Sequence, residues 1–231
     1  MVNDAKNREL LELYAPLRVA DVRDGMDWNM MHHYGSMSPD VRPLWRTHVV
    51  GIARTARYLP FQGPMPSMDG EEYTKWSGWY YGNVCTYPWM NAIRPGDFCV
   101  IDQSGVDVGL MGSNNSLAGV RDGAVGYVTN GGMRDTDELI LQKIPFWSKF
   151  ISQGMVQARL QFDAMDVPVA VGGVVVYPGD VVVADGDGVI VVPRKIAFDV
   201  AQYAHQELRG DKVGRRKLYE SLGMALDETV L

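Results

Sequence analysis

In residues 123–139 a short apolar run ends in Gly131 and Gly132, and Arg134 stands beside Asp135 just beyond them. Residues 125–129 read as a strand, the two glycines as the sharp turn after it, and Asp135 onward as the first turn of a helix. This places a cation next to an anion at a strand-to-helix corner, where backbone N–H groups and the positive end of a helix are open to a ligand. Such a corner suits a small carboxylate and a bound metal. Asp135 equally suits the N-cap of that helix, with Arg134 as a solvated charge. Arg23-Asp24 and Arg121-Asp122 are also adjacent pairs, so the setting of Arg134 and Asp135 carries the argument.

Several elements must position that corner. Residues 105–118 hold Gly105, Gly109 and Gly112 and then Ser113, Asn114 and Asn115, a glycine-rich loop opening a helix that would face the Arg-Asp corner across the sheet edge. Residues 94–102 and 177–185 share Pro-Gly-Asp, four strand formers and a closing Asp; each copy reads as a tight turn feeding a buried strand. Residues 49–59 read as a strand, and so do 155–162, 167–177, 181–184 and 189–192, these last mostly antiparallel given their short connections. Residues 4–15 form a short amphipathic helix, residues 19–31 a second one, and residues 194–219 a closing helix with Ile196, Val200, Tyr203 and Ala204 on its apolar face. Residues 60–70, with three prolines and two glycines, are a loop, and residues 71–92 are dense in aromatic rings.

The 231 residues suffice for one large domain, 1–231, with a full core. A formal charge of -6 offers no basic face, so no nucleic-acid partner is expected. The polar start, residues 1–10, lacks the apolar core of a secretion signal, and no apolar run approaches the ~20 residues of a membrane span. A cytoplasmic protein without membrane contact is the expectation. Cys85 and Cys99 show no metal-ligand or disulfide spacing and read as buried thiols. His32 and His33 are adjacent rather than four apart, so they read as structural or surface histidines.

Taken together, the motif from Val125 to Asp135 with Glu138-Leu139, the Val-rich stretch from Pro178 to Pro193, Asp24-Gly-Met-Asp27 and residues 41–45 resemble the RraA-like family, which joins the regulators of ribonuclease activity A to the class II 4-hydroxy-4-methyl-2-oxoglutarate aldolases. The resemblance covers residues 18–220 or so. It implies an α/β fold with a layered β/β/α swivelling-domain-like core and flanking N- and C-terminal helices, assembled as a homotrimer or hexamer with sites at subunit interfaces. It further implies that Arg134 grips a substrate carboxylate, that Asp135 anchors a divalent metal largely through waters, and that the loop Gly112, Ser113, Asn114 and Asn115 holds the pyruvyl portion. Glu207, on the last helix, matches an acidic residue that reaches a neighbouring subunit's site. Against the compact members, residues 60–92 look like an aromatic-rich insertion that caps the site or buries a contact.

The chemistry gives independent reasons for these residue types. Breaking a carbon–carbon bond beside a 2-oxo group leaves an electron pair that enters the ketone as an enolate, and positive charge at that oxygen stabilises it. A fixed guanidinium orients the neighbouring carboxylate. Asp135 suits Mg²⁺ or Mn²⁺, hard ions that keep several waters. The chain departs from the aldolase pattern at Ser113, separated from Arg134 by residues 114–133, where those enzymes place an Asp that supports proton abstraction. Serine is a poor base, which favours metal-assisted decarboxylation of an oxaloacetate-like acid unless Glu207 or Asp187 supplies the base for aldol cleavage. The resulting expectation is a divalent-metal-dependent lyase releasing pyruvate or a similar product from a 2-oxo acid. The alternatives are a non-catalytic protein-binding regulator and a lyase or hydratase on a bulkier hydroxy acid.

Overall fold

The two Pro-Gly-Asp turns are built alike. Gly96 and Gly179 both take positive φ, 89° and 93°, the left-handed conformation a type II turn demands of its third residue. In each, the Asp carboxylate accepts the backbone N–H three residues earlier: Asp97 from Arg94 and Asp180 from Tyr177, both at 2.9 Å. The sequence echo is therefore a repeated turn that launches a core strand.

In this computed structural model, residues 4–231 are described; residues 1–3, the start of the polar N-terminal stretch, lie outside the described residues. The helices are α1 (Asp4–Tyr14), α2 (Val19–Trp28), α3 (Gly70–Asn83), α4 (Ser113–Asp122), α5 (Thr136–Leu141) and α6 (Ala197–Leu222). The strands are β1 (Arg42–Pro43), β2 (Val49–Pro60), β3 (Asp97–Asp102), β4 (Gly109–Met111), β5 (Ala124–Met133), β6 (Phe146–Ile151), β7 (Leu160–Met165), β8 (Val169–Val171), β9 (Val174–Val176), β10 (Val181–Asp185) and β11 (Gly188–Val192). One sheet runs β1-β6-β5-β3-β2-β10-β11, with β4 added to β5 and β7 to β2; β8 and β9 form a separate hairpin. Pairings β2–β3, β3–β5, β4–β5 and β5–β6 are parallel, and the flanking ones are antiparallel.

Side-chain alternation builds the layers. On β11, Val189 and Val191 face the β8–β9 hairpin while Ile190 and Val192 face α1, α2 and α6. On β3, Phe98 and Val100 face the hairpin while Cys99 and Ile101 face the rings of the α3 side. A strand buried on both faces needs apolar residues at every position, which explains the unbroken Val runs. The result is the β/β/α layering that the family resemblance implies, with helices flanking one sheet in an α/β fold. No helix among the described residues is long and apolar enough to cross a membrane.

Several sequence expectations are corrected. Gly131 and Gly132 are not a turn: β5 continues through them to Met133. A Cβ on Gly131 would meet the Gln103 side chain at 2.6 Å, and one on Gly132 would collide with Ser152 Oγ. They are glycine because Gln103, just after β3, and Ser152, just after β6, press on β5, where its pairing with β6 shifts register between Thr129 and Gly132. Helix α2 stops at Trp28 rather than Met31, because Met30 is left-handed at φ 60°. The stretch 155–162 starts its strand only at Leu160, after a turn through Ala158 at φ 58°. The stretch 167–177 is a hairpin reversed by Gly172 and Gly173, both at positive φ. Helix α6 begins at Ala197 after a short 3-10 turn and runs on to Leu222.

Candidate active site

The corner sits where β4 and β5 end side by side. The Arg134 N–H donates to the Met111 carbonyl at 3.1 Å, closing the parallel pairing, and β4 then passes through Gly112 into α4 while β5 passes through Arg134 and Asp135 into α5. Asp135 takes φ 59° and ψ 40°, a left-handed backbone costly for a residue with a Cβ and frequent at functional sites. It occupies the N-cap position of α5, yet its side chain makes no cap bond there. Instead, Asp135 Oδ2 accepts the backbone N–H of Ser113 at 3.1 Å, so the carboxylate caps α4.

This approach dictates the glycines of the facing loop. A Cβ on Gly112 would collide with Asp135 Oδ2, and one on Gly109 would lie 2.9 Å from three carbons of the Arg134 side chain. Both glycines are required by contact, since neither has positive φ.

Arg134 Nε stands 3.7 Å from Asp135 Oδ1, a charge contact longer than a hydrogen bond. Among the described residues, nothing accepts a hydrogen bond from the Arg134 guanidinium, and both side chains are about one-third exposed, 32% and 37%. They open on a cavity of about 350 Å³ lined also by Gly109, Gly112, Asn114 and Asn115 and by the rings of Tyr81 and Tyr87. That volume lies within the usual range for small-molecule sites.

The cavity thus brings together Arg134, Asp135, Gly112, Asn114 and Asn115. Ser113 is buried at 4% exposure and offers the site only its amide, which Asp135 already occupies. Glu207 lies elsewhere in its own chain: its Oε1 accepts the Trp28 indole N–H at 2.9 Å, between α6 and α2. Asp187 is in the turn between β10 and β11, where its N–H donates to Asp185. His32 is exposed and 3.3 Å from Asp27. Among the described residues, no group of three or more His, Cys, Asp or Glu could hold a metal ion, and Asp135 is the one carboxylate among those lining the cavity.

Tyr87 and Tyr81 were visible in the sequence only as ring density. The Tyr87 hydroxyl donates to the Leu110 carbonyl at 3.0 Å, tying the glycine loop to the segment after α3. Burial raises its hydroxyl far above the ordinary phenol range, partly opposed by the Arg134 charge. Nearby, burial pushes the Cys85 thiol up to about 12.

A larger cavity, about 630 Å³, lies at the opposite ends of the strands, beneath α1. Its carboxylates are already paired: Arg54 bridges Asp97 at 2.9 Å and Asp166 at 2.7 Å. The smaller cavity is therefore the better candidate for chemistry, because its carboxylate stands beside a guanidinium that donates no hydrogen bond to it.

A family model described as RraA-like, Aldolase/RraA, matches residues 19–191. Over 141 residues the chain is 26% identical to a protein of Halalkalibacterium halodurans provisionally named a 4-hydroxy-4-methyl-2-oxoglutarate aldolase, covering 61% of this chain and 67% of that protein. A crystal structure of Streptomyces coelicolor RraAS2, described as an unusual member of the RNase ES inhibitor RraA protein family, superposes with a TM-score of 0.71 at 26% identity, covering 90% of this chain and 96% of that one. A protein of Pseudomonas syringae pv. tomato gives 0.73 at 23% identity over 97% and 98% of the two chains, a likeness of fold. Other curated relatives are matched over smaller shares of their own length, 61% and 23% in two cases.

Proposed function

Because this chain belongs to the RraA-like family, we propose that the cavity at Arg134 and Asp135 is the site of a carbon–carbon lyase acting on a 2-oxo acid. The observation that carries this reading is an uncommitted guanidinium beside a positioned carboxylate in one small cavity. The provisional aldolase name of the Halalkalibacterium relative points the same way.

Arg134 binds the substrate carboxylate through its free N–H donors, a paired grip that fixes the 2-oxo group in direction as well as place. Asn114 and Asn115 line the same cavity and offer amide groups to the oxo oxygen. Asp135 would hold a divalent ion such as Mg²⁺ or Mn²⁺, a hard cation suited to one carboxylate with water and substrate oxygens completing its shell. Bound there, the ion would supply positive charge for the enolate oxygen that forms as the bond breaks.

The cavity wall has no carboxylate at position 113 to remove a hydroxyl proton, and the Ser113 amide is spent on Asp135. Decarboxylation of an oxaloacetate-like acid needs no such base, so it is the favoured arm; aldol cleavage would need one from outside this chain's own cavity. Glu207, half-buried on α6, is placed by this reading at a neighbour's site in a homotrimer or hexamer.

The test is pyruvate release from oxaloacetate and from 4-hydroxy-4-methyl-2-oxoglutarate, with Mg²⁺ and with chelator. Metal-dependent release that disappears in Asp135→Ala supports the lyase. No release from either acid, with a ribonuclease-binding surface unaffected by Asp135→Ala, would favour the regulator reading suggested by the Streptomyces relative.

A further inference from the structure

Two phenol rings, those of Tyr81 and Tyr87, line the cavity together with the glycine loop, and their position is fixed. Helix α3 is pinned to the body by Tyr80, whose hydroxyl donates to the Leu160 carbonyl at 2.7 Å, and by Gln157, whose amide donates to Ser77 Oγ at 2.6 Å. Tyr81 follows Tyr80 by one helical step and so faces the cavity rather than the core. Its ring lies 6.4 Å from that of Tyr87 at an interplanar angle of 33°. Tyr87 is in turn held by the Leu110 carbonyl and packs 6.0 Å from the buried Tyr58 ring. Tyr81 is therefore the outermost member of a supported ring series, 36% exposed, with one face available to the cavity.

Among the described residues lining the cavity, Arg134 is the one cation and Asp135 the one anion. Once Arg134 holds the carboxylate next to the reacting carbonyl, no second side-chain cation lines the cavity to hold a charged tail, and the carboxylate lost as CO2 in a decarboxylation needs no such partner. A charged tail there would lose water without gaining a partner, whereas a flat neutral ring would gain an aromatic face.

Resting on the lyase reading above, we infer that the site accepts a 2-oxo acid whose far end is a neutral aromatic ring, and that Tyr81 is the face on which that ring stacks. Tyr87 is a positioning residue: it sets the Tyr81 ring and the Leu110 carbonyl together. The substrate class is thereby a 2-oxo acid whose tail beyond the breaking bond is uncharged and aromatic. The aromatic insertion then has a recognition role in addition to its packing role.

The test uses the full chain with Mg²⁺ and measures binding of phenylpyruvate, pyruvate and 2-oxoglutarate by calorimetry, alongside pyruvate release from oxaloacetate. The unaltered protein should bind phenylpyruvate about tenfold more tightly than pyruvate, the scale of one good ring contact plus its buried area. Tyr81→Phe should keep that ratio, and Tyr81→Ala and Tyr81→Leu should bring it close to one. Leu retains bulk without a ring face, so it separates stacking from mere filling, and circular dichroism reports whether each variant folds. A ratio near one in the unaltered protein overturns the inference. So does an unchanged ratio in Tyr81→Leu, or 2-oxoglutarate binding more tightly than phenylpyruvate. Because oxaloacetate turnover is read in the same samples, absence of the ring preference in the unaltered protein with turnover intact defeats this inference alone, and absent turnover in the unaltered protein defeats the lyase reading.

Discussion

The carboxylate of Asp135 caps a helix it does not belong to, accepting the Ser113 amide at the start of α4 while its own backbone begins α5. One side chain thus ties two βα corners together and sits beside Arg134 as it does so. The bond needs Asp135 in a left-handed conformation and Gly112 without a side chain, and both conditions are met.

Asp135→Asn keeps the shape and an acceptor oxygen but removes the charge. Its stability should fall by no more than about 1 kcal/mol, the usual scale of an N-cap, while metal-dependent pyruvate release drops ~100-fold or more, as when a charge-stabilising group is lost. Urea unfolding and a coupled pyruvate assay measure the two effects separately. Equal losses in both would mean that Asp135 is structural.

Gly112→Ala should cost about 2 kcal/mol, since the new methyl collides with the Asp135 carboxylate and must displace it. Gly78→Ala on the exposed side of α3 meets nothing within 4 Å and should be stabilising, by up to ~1 kcal/mol from helix propensity. The two urea midpoints should therefore move in opposite directions.

Asp69 accepts the N–H groups of Glu71 and Glu72, each at 2.9 Å, and Glu72 returns a bond to the Asp69 N–H at 3.0 Å, a complete capping box for α3. Asp69→Ala should cost about 1 kcal/mol. Limited proteolysis between residues 60 and 83 should accelerate, because the cap holds the helix that carries Tyr81.

The pH dependence follows from the buried thiol. Cys85 has its folded value raised from 9.0 to about 12 by burial. Its protonated form is favoured in the native state, so this contribution is complete below pH 9 and is lost as pH rises toward 12. Above pH 9 the unfolded chain releases the proton first, which draws the equilibrium toward unfolding by up to ~1.4 kcal/mol per pH unit for one group. Cys85→Ala should be somewhat less stable at pH 7 and lose stability less steeply between pH 9 and 11. An unchanged slope in urea titrations would show that the thiol is not buried as described.

Much of the architecture was legible because it rests on local rules. The two Pro-Gly-Asp turns and the Val runs after them follow from backbone preference and from burial on both faces, and both are where the sequence places them. The Arg-Asp corner and the glycine loop also meet as their order along the sheet edge requires. Gly131 and Gly132 were misread because sequence shows that a Cβ is absent without showing why: here the cause is pressure from Gln103 and Ser152, both distant along the chain. Helix α3 went unassigned within the ring-dense segment, although Asp69 followed by Glu72 carried its capping signal. Tyr81 and Tyr87 could not be placed at the cavity, because that depends on how α3 docks through Tyr80, a contact with a residue 80 positions away. Glu207 sits beside Trp28 in its own chain, and its assignment to a neighbour's site depends on assembly geometry that a single chain does not contain.

The central claim is that Arg134 grips the substrate carboxylate through paired donors, and the most direct measurement is kcat/KM for Mg²⁺-dependent pyruvate release from oxaloacetate by Arg134→Lys. Lysine keeps the positive charge but loses the planar fork, so the account predicts a fall of ~100-fold or more, in line with the cost of a misplaced reactant. A folded Arg134→Lys protein within about threefold of the unaltered enzyme, a difference below 1 kcal/mol, would contradict it.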